Sequence, residues 1–283
     1  MSGFLEQMAQ AAASRVQQAR ASVSAQELWA RARASPPPPR LALHPDGFDL
    51  IAEVKLRSPA AGRLAGRGGA DIEDVTARAR EYAHAGAAAV SVLTEPTRFD
   101  GSLEHLSSAA AAVRASRVPA MRKDFLVDPY QVLEARVAGA GGVLVVLRML
   151  GDEAVRSLLD CARELGLFVL LEAFDEADLE RAHVCVETSA PGTTLLVGLN
   201  CRDLDTLEVV PGRLESLARR LPAGVPRVAE SGVASALDAA RVAAAGYDLA
   251  LIGTALMKDN SPGMLAQELL AAGRAARRGR RAG

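Results

Sequence analysis

Met121-Arg122-Lys123-Asp124-Phe125 directly follows the short apolar run Val118-Pro119-Ala120, and a helix-opening Asp128-Pro129 comes just after it. A strand that ends by pointing a lysine and an aromatic at one small region makes a site at its carboxyl end. Lys123 is therefore the leading candidate for chemistry. A lysine between opposite charges is most often a solvated surface residue. Lys123 stands apart from that rule because other strands of this chain end in the same polar way.

Outward from this stretch, the chain repeats one unit from Asp49 onward: a short apolar strand, a polar loop, then an alanine-rich amphipathic helix. The pattern predicts strands near Leu50–Val54, Ala89–Leu93, Val118–Met121, Val143–Leu147, Phe168–Leu171, Leu195–Leu199, Arg227–Ala229 and Leu249–Ile252. Helices are expected near Ile72–His84, Ser102–Ala115, Pro129–Ala138, Glu153–Glu164, Glu176–Val184, Gly212–Leu221, Ala234–Ala245 and Met264–Ala275. A spacing of roughly 25 to 40 residues per unit is that of βα repeats. Strands apolar on both faces imply a parallel sheet covered by helices, and closing eight of them gives an α/β fold of the (β/α)8 TIM-barrel type. The rival is an open doubly wound sheet, which usually carries a phosphate-binding glycine fingerprint near its start. Here the glycine-dense segment Gly62 to Gly69 does not follow a strand in the GxGxxG register, and no GxxxxGK[ST] occurs.

The flanks read differently. Residues 1–48 are expected to form an N-terminal helical extension, helical from Phe4 to Ala34, and a stiff linker at Pro36 to Pro39. The barrel domain is expected over 49–275, and the arginine-rich residues 276–283 read as a frayed, solvated basic tail. With 283 residues, 49% of them apolar, the chain can bury a sizeable core. Its net charge of −1 gives no reason to expect nucleic acid or an anionic membrane as partner. Cys161, Cys185 and Cys201 are too scattered for a zinc knuckle or a CxxC pair, and their odd number argues against a disulfide framework. No apolar run is long enough to span a bilayer, and no basic segment with an apolar core opens the chain, so the expectation is a cytoplasmic protein.

In a barrel, the carboxyl ends of the strands converge on one rim. The first strand supplies Glu53 and Lys55, two apart and on one face, with Ser58-Pro59 in its loop; later strands supply Lys123, Glu172, Asn200 with Arg202, and Glu230. Any one of these could be a charged strand terminus. Gathered on a shared rim, they cost several kcal/mol in desolvation unless they pair or bind something. Two turns, Ser231-Gly232 and Gly253-Thr254, follow the last two strands, where barrels commonly offer backbone N–H groups and a short helix N-terminus to a phosphate. Tight-turn glycines alone would explain either one; as a pair they favour a phosphorylated ligand.

With these residues in hand, the chain resembles the indole-3-glycerol phosphate synthases. The resemblance is carried by Ile51-Ala52-Glu53-Val54-Lys55 with Ser58-Pro59, Ser91-Val92-Leu93-Thr94-Glu95 with Phe99-Asp100-Gly101-Ser102, and Arg122-Lys123-Asp124-Phe125 with Asp128-Pro129-Tyr130-Gln131. It continues through Leu171-Glu172, Gly198-Leu199-Asn200-Cys201-Arg202-Asp203-Leu204, Ala229-Glu230-Ser231-Gly232 and Leu251-Ile252-Gly253-Thr254, in order from Asp49 to Lys258. The resemblance implies conversion of 1-(2-carboxyphenylamino)-1-deoxyribulose 5-phosphate, a phosphorylated anilino-sugar, to indole-3-glycerol phosphate, carbon dioxide and water, with no metal or organic cofactor. It implies Lys123 as general acid and Glu172 as base, with Glu53, Lys55 and Asn200 in the catalytic group. Arg202, Glu230, Phe99, Phe125 and Leu204 would bind substrate, and Ser58, Ser231, Gly232, Gly253 and Thr254 would hold phosphate. A monomer or weak homo-oligomer is expected.

The sequence departs from that family's pattern at Ala60-Ala61-Gly62, where a serine and a lysine are usual, at Phe174, where a small polar residue or histidine is commoner, and at Thr254 in place of serine. None of these removes a proposed proton donor or acceptor. Two alternatives stand beside this reading. A paralogous phosphosugar barrel of specialised metabolism would act on a similar substrate; an isomerase of that kind would carry a cysteine and aspartate pair where Lys55, Lys123 and Glu172 stand. A catalytically silent ligand-binding barrel would have no use for the acid and base candidates.

Overall fold

A computed structural model describes residues 3–45, 47–59, 62–64, 72–203 and 206–282. Two helices, α1 (Gly3–Ser22) and α2 (Ala25–Ala34), precede the barrel, whose units are β1 (Asp49–Val54), α3 (Ile72–His84), β2 (Ala89–Leu93), α4 (Leu103–Val113), β3 (Ala120–Lys123), α5 (Pro129–Val137), β4 (Gly142–Val146) and α6 (Asp152–Glu164). The second half comprises β5 (Phe168–Ala173), α7 (Glu176–Thr188), β6 (Thr194–Asn200), α8 (Arg213–Leu217), β7 (Arg227–Glu230), α9 (Ala236–Ala245), β8 (Leu249–Ile252) and α10 (Pro262–Ala282). Each strand pairs in parallel with its sequence neighbours, and β1 also pairs with β8, so the eight strands close into a barrel. The expected (β/α)8 architecture is the one observed.

The alternation of side chains along each strand builds two apolar layers. Leu50, Ala52 and Val54 face outward into the core shared with the helices, while Ile51, Ala89, Met121, Leu144, Phe168, Leu170, Leu196, Val228, Leu249 and Leu251 fill the barrel interior. Gly142 has no side chain because the Phe168 ring occupies its place: a Cβ there would lie 2.3 Å from the ring. Further along the same face come Glu53, Lys123, Glu172 and Glu230, each two positions beyond an inner-layer residue, and Asn200, four beyond Leu196. The period of two thus delivers them to the mouth.

Local chemistry sets the element ends. Asp128 opens α5 with a capping box shared with Gln131, and Pro129 occupies the first helical turn where no N–H is needed. Ser235 and Asp238 do the same for α9. The third strand begins later than its apolar run predicts, at Ala120, because Pro119 has no N–H to give a ladder. It reaches Lys123 itself.

The largest departure from expectation is at the carboxyl terminus. The expected frayed tail is helix through Ala282, and Arg274 bonds Asp49 Oδ1 at 2.9 Å and the Phe48 carbonyl at 3.0 Å, while Arg277 pairs with Asp248. Gly273 is a contact point within that helix, since a Cβ there would lie 2.0 Å from Phe48 Cδ1. The N-terminal helices also belong to the packed body: Val16, Leu28 and Ala32 join the outer core, and Leu5 is fully buried in the inner one. A one-turn helix at Pro96–Phe99 and a two-residue hairpin of Arg57–Ser58 with Gly62–Arg63 were not expected. The departure at Ala60-Ala61 lies outside the described residues.

Candidate active site

The strand ends form the floor of a cavity of about 510 Å³, a size suited to a small molecule. On the floor, Lys123 Nζ lies 3.6 Å from Glu172 Oε1 and 3.8 Å from Glu230 Oε2. Asn200 Nδ2 donates to Glu172 Oε1 at 2.7 Å, and Asn200 Oδ1 accepts from the Arg202 N–H at 3.0 Å, so the amide is locked in one orientation. The register explains this cluster: Glu172 stands opposite Gly198, and Asn200 opposite Glu230. Across the mouth, Lys55 Nζ and Glu53 Oε1 form a 2.7 Å ion pair.

Two glycines make room for two of the carboxylates. A Cβ at Gly198 would come within 2.0 Å of Glu230 Oε1, and one at Gly253 within 2.3 Å of Glu53 Oε1. Such separations are impossible for real atoms, so any side chain at either position would evict a carboxylate from the floor.

The three carboxylates and two lysines sit in a poorly solvated volume, which sorts their charges. Burial alone would lower the Lys123 pKa, but the carboxylates facing it, Glu172 foremost, outweigh it and hold the ammonium above its ordinary value. Glu230 goes the other way. Its burial and the neighbouring charge of Glu172 push its carboxyl well above the usual carboxylate range, against the pull of Lys123. Neither oxygen of Glu230 has a hydrogen-bond partner among the described residues, which fits a neutral carboxyl better than a buried anion.

Aromatic rings form one wall. Phe99 ends the one-turn helix after β2, Phe125 follows β3, and their ring centroids are 6.3 Å apart. Phe4 of α1 meets Phe125 edge-on at 5.9 Å. Phe174 lines the β5 side with the Arg148 guanidinium 4.5 Å above its ring. The opposite side of the cavity carries Ser58, Ser231, Gly232, Gly253 and Thr254. Ser231 and Gly232 both take left-handed backbone angles (φ 65° and 69°), an unusual conformation for serine. Thr254 opens a five-residue helix, Thr254–Lys258, whose last residue, Lys258, also reaches the cavity.

Every candidate residue named from the sequence lines this cavity except Leu204, which lies outside the described residues. Sequence reasoning missed Phe4, Leu5, Asp124, Leu207, Val209 and Lys258. The amphipathic pattern of α1 was visible, but not which surface it covers. Lys258 had a signal, a basic residue one turn beyond the Gly253-Thr254 turn. Among the described residues no group of three or more His, Cys, Asp or Glu side chains is arranged to hold a metal ion. No helix among them is long and apolar enough to cross a membrane.

Comparison with known proteins adds a second line of observation. The family model for indole-3-glycerol phosphate synthase matches residues 5–269. The chain is 41% identical to the indole-3-glycerol phosphate synthase of Mycobacterium ulcerans (strain Agy99), over 89% of this chain and 88% of that one. It is 44% identical to that of Leifsonia xyli subsp. xyli, covering 87% and 89%, and 46% identical to that of a Nocardioides species, covering 76% and 77%. Among solved structures, 3-hexulose-6-phosphate synthase from Salmonella typhimurium superposes with a TM-score of 0.59 at 13% identity, covering 81% of this chain and 99% of that one. Thiamine phosphate pyrophosphorylase from Pyrococcus furiosus gives 0.57 at 16% identity, covering 82% and 98%. These two likenesses speak to the barrel alone.

Proposed function

The chain belongs to the indole-3-glycerol phosphate synthase family, enzymes of decarboxylative ring closure in tryptophan biosynthesis, and from that premise we propose how its own side chains divide the work. Lys123 is the general acid of ring closure and Glu172 the base of the later dehydration. The observation that carries this division is the 3.6 Å approach of Lys123 to Glu172 on the floor of the cavity.

The substrate is 1-(2-carboxyphenylamino)-1-deoxyribulose 5-phosphate. The ring carbon that bears the carboxylate attacks the ketone carbon, and charge builds on the ketone oxygen. The Lys123 ammonium stabilises that charge and donates the proton, and the facing carboxylates, Glu172 foremost, keep it charged until then. Carbon dioxide then leaves, its bonding electrons restoring the aromatic ring. Dehydration follows: Glu172, oriented by Asn200, takes a proton from the new five-membered ring, and the hydroxyl departs as water with a proton from Lys55. Glu53, 2.7 Å from Lys55, holds that ammonium in place. The two lysines give two protons and Glu172 takes one, so each turnover of the carboxylate substrate draws one proton from solvent and yields indole-3-glycerol phosphate, carbon dioxide and water.

Placement of the substrate follows from the two sides of the cavity. Its aryl end lies against Phe99 and Phe125. Its phosphate lies at Ser231-Gly232 and at the Gly253-Thr254 helix start, with Ser58 beside them. Arg202 and Glu230 line the groove between, and Leu204 is proposed on the aryl side. The enzyme acts as a monomer or weak homo-oligomer in the cytoplasm, without nucleic acid.

Incubating the purified protein with the anilino-deoxyribulose phosphate and following indole fluorescence tests the roles. Lys123→Ala and Glu172→Gln should each lower kcat by about a hundredfold or more, the scale of a positioned acid or base. Unchanged turnover in Lys123→Ala would overturn the acid assignment.

A further inference from the structure

Asp124, next to the proposed acid, is buried and accepts four hydrogen bonds. Oδ2 takes Thr94 Oγ1 at 2.8 Å and Arg122 Nη2 at 3.0 Å; Oδ1 takes the Phe125 N–H at 2.8 Å and Arg15 Nη2 at 2.8 Å. The other end of the Arg15 fork faces Glu95 Oε1 at 3.5 Å. Glu95, also fully buried, caps the one-turn helix Pro96–Phe99 by accepting from the N–H groups of Thr97 (2.9 Å) and Arg98 (2.7 Å). Each carboxylate held by Arg15 therefore fixes the backbone under one ring: Asp124 under Phe125, and Glu95 under Phe99. Phe4 lies three helical turns before Arg15, on the same side of α1, and presses its ring edge-on to Phe125.

We propose that Arg15 is a positioning residue for the aryl-binding wall: by bridging Asp124 and Glu95 it sets Phe125 and Phe99 against Phe4, closing the cavity on an aromatic ring. This rests on the reading that the aryl end of the substrate lies at that wall. Arginine suits the task because the separate nitrogens of its planar fork span two acceptors held apart, whereas the donors of a lysine ammonium all sit on one atom. Without it, Asp124 would keep its ion pair with Arg122 while Glu95 would lose the one it makes with Arg15, and the loops they anchor would lose their common reference.

The test is steady-state kinetics with a melting curve for each of four variants. Arg15→Met should raise KM about tenfold with kcat within about threefold of wild type, because the wall grips ground state and transition state alike. Arg15→Lys should fall between wild type and Arg15→Met. Arg20→Met removes the 2.7 Å pair from the same helix to Asp128, away from the wall, and should leave KM within about twofold. Phe99→Ala tests the wall itself. If Phe99→Ala leaves KM unchanged, the placement of the aryl end fails and the Arg15 proposal with it. If Phe99→Ala raises KM while Arg15→Met does not, or if Arg15→Met and Arg20→Met raise it equally, the Arg15 proposal alone is overturned. Should Arg15→Met fail to fold, Arg15→Lys decides: a folded lysine variant with wild-type KM overturns the bridge.

Discussion

Glu230 offers a test of how the floor distributes its protons. Replacing it with glutamine keeps the shape and removes the option of charge. Two effects compete in that change. If Glu230 were an anion paired with Lys123, its loss would break a buried pair and cost about 3 to 5 kcal/mol. If instead it is a neutral acid, glutamine substitutes for it at little cost. The geometry favours the neutral acid: 1% exposure, no hydrogen-bond partner for either oxygen among the described residues, Lys123 as far away as 3.8 Å, and the charge of Glu172 nearby. A carboxyl whose folded-state pKa lies above its ordinary 4.5 binds protons more readily in the native than in the unfolded chain. Its contribution to stability is complete below the unfolded value and is lost as pH climbs through the folded one. Over that window wild type should lose up to about 1.4 kcal/mol per pH unit relative to Glu230→Gln, or about 2 °C in Tm for a domain this large. Thermal unfolding of both proteins from acid to mildly alkaline pH reads the difference directly. Glu230→Gln should match wild type in acid and exceed it increasingly as pH rises. A variant that is instead destabilised at neutral pH would refute the reasoning and make Glu230 an ionised partner of Lys123.

Two further outcomes follow from contacts already described. Gly253→Ala places a Cβ where Glu53 Oε1 now sits, 2.3 Å away, so it should displace the Glu53–Lys55 pair and lower kcat by about tenfold or more, a loss checked by the same fluorescence assay. Arg274→Ala removes the bonds to Asp49 and Phe48 at the amino end of β1, far from the mouth; it should lower stability by about 2 kcal/mol, near 4 °C in Tm, with kcat and KM unchanged.

What could be read in the sequence follows from periodicity. The alternation that puts Met121 inward puts Lys123 inward as well, and the same step links Leu170 to Glu172 and Val228 to Glu230. Once the βα repeat implied a barrel, these residues had to share a mouth. Contacts across long stretches of chain were not legible. Leu5 has the helical spacing of any amphipathic segment, and nothing near it in sequence says that it joins the inner core with Met121 and Leu144. Arg15 reads as one of many surface arginines until Asp124 and Glu95 are brought beneath it. Arg277 looked like part of a solvated tail, and the ion pair of Arg274 was not visible, because their acidic partners, Asp248 and Asp49, are far away along the chain. Gly253 was legible as a turn after the last strand, while the space it leaves for Glu53 depends on side-chain geometry alone.

Gly198 and Gly253 suggest a lesson for transplanting this chemistry. A designer who copied the ionisable residues onto another eight-stranded scaffold would inherit reagents with nowhere to stand. The vacant volume above those two α-carbons is part of the blueprint, encoded by atoms the polymer leaves out, and the graft would have to carry it across as faithfully as any lysine.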